Sequence, residues 1–133
     1  MCWKNLIATI ILLSVVDAPY LYLNSGLYRN KVKQISCGKT LTNRYYSALM
    51  VYIALAVGIV FLVLPRITAD DNMGKLRESI IYGGIFGFAT YATFDFTMHF
   101  MFEGWDIMVS VMDTLWGCVL CSIVAFILAV SGL

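Results

Sequence analysis

Apolar residues along this chain fall into four long blocks rather than into an alternating or one-faced helical pattern. The blocks are residues 5–23, 45–64, 79–101 and 107–131, each close to or above the length that crosses a bilayer. A spanning helix needs about 20 mainly apolar residues, because each residue advances the chain by about 1.5 Å. Backbone amides in lipid have no water to bond, so helices are the expected form. The strict alternation of a barrel strand does not appear. The pattern predicts an all-α fold, a single domain over residues 1–133 built as a four-helix transmembrane bundle.

Polar residues mark the ends of the blocks and a few places inside them. The longest connection, Asn24–Arg44, holds Arg29, Lys31, Lys33, Lys39 and Arg44. Tyr28, Val32 and Ile35 recur there at helical spacing, so a short interfacial helix and a plain solvated loop both fit. In either form the five cations face lipid headgroups or a partner. The second connection, Pro65–Glu78, reads as an exposed turn, and the third is a tight turn around Gly104-Trp105. Pro19 removes an intrahelical hydrogen bond and is expected to kink or end the first helix near Val15–Val16. The first block is not expected to be a cleavable leader: Asp17-Ala18-Pro19 stands where a cleavage region needs small neutral residues. Basic residues do not fix orientation, with five on the first loop against Lys4, Arg66, Lys75 and Arg77 on the opposite face.

Three aspartates interrupt the blocks: Asp17 in the first, Asp95 in the third and Asp113 in the fourth. A carboxylate at a membrane helix centre costs roughly 2.5–3.5 kcal/mol on insertion scales, so each needs a partner or a purpose. Counted from the block ends, all three lie roughly 10 Å beneath the same surface. Gly87, Tyr91, Asp95 and His99 follow at intervals of four and share one face. Asp113, Gly117 and Cys121 form a second stripe, with Trp116 beside it. Gly83 and Gly87 make a G-x-x-x-G, a spacing that lets helix backbones approach closely. The cluster Asp17, Tyr91, Asp95, His99, Asp113 and Trp116 fits two roles: hydrogen bonding that fixes helix register, or a proton or cation path.

Composition narrows the classes further. The chain is 61% hydrophobic and 13% charged, against about half and about a quarter in soluble domains. Net charge is +1 with no extended basic block, which argues against nucleic acid as a partner. Cys118 and Cys121 form a C-x-x-C, but no second Cys or His pair completes a metal site, and the two read as small residues at a helix contact. Asp95 and His99 lack a third ligand. No metal or cofactor is expected. No hydrolase or metalloprotease motif occurs, and an enzyme is not expected.

The run from Gly84 to Thr97, then Gly104-Trp105, then Asp113-Thr114-Leu115-Trp116-Gly117, resembles the small four-span membrane family called domain of unknown function 2177. That family carries G-x-x-x-Y-x-x-Y-D-x-T-N, a G-W turn and D-x-x-W-G. It also has an aspartate followed three residues later by tryptophan, here Asp17 and Tyr20. The chain departs from it at Tyr20, at Phe94 (usually Tyr) and at Met98 (usually Asn). The resemblance implies a four-helix membrane bundle and points to Asp17, Asp95, Asp113, Trp116 and Gly117. Similar proteins occur in large DNA viruses with an internal membrane beneath the capsid. The expectation is a structural component of a membrane or of such a particle, packed against the bilayer, other membrane or capsid proteins, or further copies of itself. The alternative is a small proton- or cation-coupled transporter using the aspartates.

Overall fold

A computed structural model describes residues 2–35 and 45–131, with side chains from Trp3 to Leu23 and from Tyr46 to Ser131. Helix α1 spans Cys2–Ile35. It runs without a break through Pro19, so of the two outcomes expected there, a kink or an end, the end does not occur. Proline costs the helix one hydrogen bond, but every other backbone group in an apolar span keeps its best partner by staying helical. The helix also continues past Leu23 into the connection for which a short helix and a plain loop both fitted. Arg29, Lys31 and Lys33 therefore lie on a helical backbone, while Cys37, Lys39 and Arg44 lie outside the described residues.

The second rod begins as α2, Tyr45–Gly58, widens into a π turn at Ile59–Val63 and tightens into a 3-10 turn at Leu64–Arg66. The widening precedes Pro65, which has no N–H to give and whose ring would crowd the carbonyl of Phe61. There the Leu64 amide bonds the Ile59 carbonyl instead.

Residues 65–78 are not simply an exposed turn. Helix α3, Asn72–Glu78, begins within them and passes through a second π turn, Ser79–Gly83, into α4, Gly84–Met101. The cause is local. The Asp71 side chain accepts from the Gly74 amide at 3.1 Å and caps α3. The Glu78 carboxylate accepts from the amides of Thr68 and Ala69 at 2.7 and 3.0 Å, tying the loop to the helix end. Asp71→Ala is expected to cost about 1 kcal/mol of local stability. Hydrogen exchange at Asn72–Lys75 should accelerate about fivefold while the membrane helices keep their protection.

Helix α5, Ile107–Ser131, returns antiparallel along α4 after the turn at Phe102–Asp106. Three stretches are long and apolar enough to cross a membrane: residues 3–23, 46–66 and 107–131. The rod containing α4 is less clearly apolar, because it carries Asp95, His99 and three threonines. Those threonines satisfy themselves by bonding back along the helix: Thr90 to the Phe86 carbonyl at 3.0 Å, Thr93 to Ala89, Thr97 to Thr93. The fold is all-α, a four-helix transmembrane bundle, with no strand among the described residues.

The interior joins Leu13 of α1, Leu55, Ala56, Ile59 and Val63 of the second rod, and Leu120, Val124 and Leu128 of α5. The outside is equally apolar. Ile7, Ile11 and Val15 form an exposed stripe on α1, and Leu115, Val119 and Ile123 lie exposed along α5. Lipid is as apolar as leucine, so burying Leu13 gains little transfer energy here. Close packing and interhelical hydrogen bonds must hold such a bundle together.

Candidate functional site: an intramembrane aspartate cluster

Close packing is greatest between α4 and α5, where small residues face each other. A Cβ placed on Gly87 would stand 2.2 Å from the Gly117 carbonyl oxygen and 2.9 Å from the Cys118 Cα. One on Gly83 would stand 2.9 Å from the Ser122 Cα and 3.0 Å from the Cys121 carbonyl. Gly117 in turn seats the Tyr91 ring, which lies 2.3–2.8 Å from where a Cβ would be. Gly83, Gly87 and Gly117 thus line one seam, and Cys121 sits in it as a buried free thiol.

The three aspartates gather at the loop end of this seam, each in a different setting. Asp17, on the buried stripe Thr9–Leu13–Asp17 of α1, is 5% exposed. Its carboxyl accepts the Tyr52 hydroxyl at 2.8 Å and the Trp116 indole N–H at 2.7 Å. One side chain therefore joins α1, α2 and α5. Tyr20 stacks on Trp116 with ring centroids 4.7 Å apart and planes within 7°. The Tyr20 hydroxyl reaches Asp113 at 3.4 Å, a long contact.

Asp95 is fully buried, and neither of its carboxyl oxygens receives a hydroxyl, amide or indole hydrogen. What its side chain meets is the carboxyl of Asp113. Beneath it, the Ser110 hydroxyl donates to the Asp95 backbone carbonyl at 2.9 Å and accepts from the Trp105 indole at 2.9 Å. Trp105 is itself buried and closes the turn over the seam. Tyr91 lies within electrostatic reach of both Asp17 and Asp113.

The structure thus brings together Asp17, Tyr91, Asp95, Asp113 and Trp116. His99 is exposed on the last turn of α4, where the cover from neighbouring helices has ended. No group of three metal-ligating side chains occurs among the described residues. Sequence reasoning missed Tyr52, Ser110 and Thr114. Tyr52 carried a usable signal, as a hydroxyl inside a block otherwise free of strong polarity.

These residues coincide with the motifs noted in the sequence, and the family behind those motifs matches residues 2–130. The chain belongs to DUF2177, described as a predicted membrane protein family. No curated protein and no solved structure matches it. The segments through which the chain resembles DUF2177 are the ones that build the site: Tyr91 and Asp95 on α4, Trp105 in the turn, and Asp113, Trp116 and Gly117 on α5. Where it departs from DUF2177, Tyr20 keeps an aromatic ring against Trp116. Met98, half-buried one turn from Asp95, brings no hydrogen-bond donor to the cluster.

Proposed function

We propose that this DUF2177 chain is a structural component of a membrane, or of a membrane-containing particle such as a virion with an internal membrane, and that it carries out no covalent chemistry. The observation behind this reading is Asp17. Two donors from two other helices meet its carboxyl, an arrangement that fixes the rotation and register of α1 against α2 and α5. Hydrogen bonds of this kind substitute for the hydrophobic drive that lipid cannot supply. Partners in this reading are the bilayer, neighbouring membrane or capsid proteins and further copies of the chain. The basic segment from Arg29 to Arg44 serves headgroups or those partners.

Asp95 favours a second reading, a small proton- or cation-coupled transporter, because its carboxyl has no donor and faces another acid. Buried carboxyl groups so placed are what proton paths use. Proteoliposomes under an imposed potential separate the two readings. The structural reading expects proton flux no greater than that of empty vesicles, for the native chain and for Asp95→Asn alike. Flux through the native chain that vanishes in Asp95→Asn would overturn it in favour of transport.

A further inference from the structure

We propose that the groove between the end of the second rod and the start of α4 binds one phospholipid with an anionic headgroup. The phosphate sits on Arg66, and part of one acyl chain lies along the groove. The inference goes beyond the structural reading and holds whether the bundle is static or conducts. The groove has a volume of about 290 Å³. One wall is Leu62 and Val63, in the turn before Arg66; the other is Tyr82, Phe86 and Ala89. From Tyr82 to Ala89 the wall descends roughly 10 Å into the bilayer, at about 1.5 Å per residue.

The backbone shapes this space. Both rods carry a π turn here, Ile59–Val63 and Ser79–Gly83, a form that is frequent at functional sites. The Phe86 ring is drawn aside across Gly58, where a Cβ would stand 2.1 Å from its far carbon. Val63 is buried as the floor, while Leu62 and Ile85 are exposed as rims. The groove therefore opens sideways to lipid rather than to water.

Position and charge name the occupant. The apolar stretch of the second rod covers residues 46–66, so Arg66 stands at its end, at headgroup depth above apolar walls. The connection from Pro65 to Glu78 is neutral as a whole, with Arg66, Lys75 and Arg77 against Asp70, Asp71 and Glu78. What singles out the groove is one exposed guanidinium at its mouth, not the field of the loop. Asp71 and Glu78 are engaged elsewhere, with the amides of Gly74, Thr68 and Ala69. Among the described residues no acidic side chain pairs with Arg66. A guanidinium offers paired N–H donors that match phosphate oxygens. Free phosphate would leave the apolar walls unused, and a neutral apolar molecule would leave the cation unused. A phospholipid uses both. A headgroup with net negative charge is favoured, because a zwitterionic one brings its own cation to compete with Arg66.

Native mass spectrometry tests this on the full chain released from nanodiscs of mixed phosphatidylcholine and phosphatidylglycerol. The native chain should retain one phosphatidylglycerol. Arg66→Gln should lower the retained ratio of phosphatidylglycerol to phosphatidylcholine about fivefold, the weight of one cation near a membrane surface. Arg77→Gln removes an exposed cation outside the groove and should change that ratio less than about twofold. Ala89→Phe fills the groove from its exposed side and should abolish retention of either lipid. All three positions are exposed, so the variants keep the fold. A native chain that leaves the bilayer without lipid overturns the site, as does one that keeps both lipids equally. Equal losses in Arg66→Gln and Arg77→Gln would replace it with a diffuse surface field. Undiminished retention in Ala89→Phe would remove the acyl groove, and a lipid-free dimer would give that groove to a second copy of the chain. None of these readouts depends on whether the bundle conducts protons.

Discussion

Gly87→Ala should strongly destabilise the bundle, although it adds one methyl group to a helix. The new Cβ would meet the Gly117 carbonyl oxygen at 2.2 Å, its carbon at 2.6 Å and the Cys118 Cα at 2.9 Å. All three are backbone atoms, so no rotamer change relieves the clash. Ordinary contact begins near 3.4 Å, so α4 and α5 must part by about 1 Å. A gap of 0.5–1 Å already forfeits about a quarter to a half of each dispersion contact across it. Separation would also strain the Ser110–Asp95 hydrogen bond and the Asp95–Asp113 contact. Overpacking alone costs about 1–3 kcal/mol; breaking the hydrogen bonds across the seam as well brings the expected cost to about 3 kcal/mol or more. Gly84→Ala is the matched control. Its Cβ would meet only the Ser122 hydroxyl, at 3.7 Å, so its stability should stay within about 1 kcal/mol of the native chain, the scale of the helix-propensity difference. Thermal unfolding in nanodiscs, followed by tryptophan fluorescence, compares the two. Equal midpoints for Gly87→Ala and the native chain would show that the seam does not hold the bundle.

The contrast between those glycines also marks where sequence reasoning stops. Gly83, Gly84 and Gly87 all lie in one apolar run, and the spacing of Gly83 and Gly87 named the right pair. Block length and apolarity were enough for the all-α fold and for three stretches long and apolar enough to cross, because a bilayer imposes one length on every helix. The common depth of the aspartates followed from helix rise. Rotation about each helix axis did not, because it depends on how all the rods pack at once. That is why Tyr52 went unnoticed as the donor to Asp17, and why the exposure of His99 was not legible. Local chemistry was under-read in the second connection, where an aspartate three residues before a glycine amide starts a helix. Pro19 does not end its helix, since solvation of the freed backbone, the usual alternative to staying helical, is lacking inside lipid.

Asp17→Leu should cost about 2–5 kcal/mol, and Asp17→Asn close to nothing. Leucine fills a similar volume but accepts no hydrogen bond, leaving the Tyr52 hydroxyl and the Trp116 indole N–H unpaired in an apolar interior. Each unsatisfied donor costs about 1–3 kcal/mol. Rearrangement towards other acceptors lowers the sum, since interhelical hydrogen bonds in membrane proteins average nearer 0.6 kcal/mol in double-mutant cycles. Asparagine behaves differently because its two partners differ. The Trp116 indole can only donate, and the Asn carbonyl oxygen can accept it. Tyr52 can also accept, so its hydroxyl oxygen can take a hydrogen from the Asn amide. Both contacts survive with the direction of one reversed. Tyr52→Phe in the Asp17→Leu background should then recover part of the loss, because it removes one stranded donor. Chemical unfolding of the native chain, Asp17→Leu, Tyr52→Phe and the double variant in the same lipid gives the coupling energy. A leucine variant as stable as the native chain would mean that Asp17 does not hold α1 to the bundle, and the structural reading of this cluster would lose its main support.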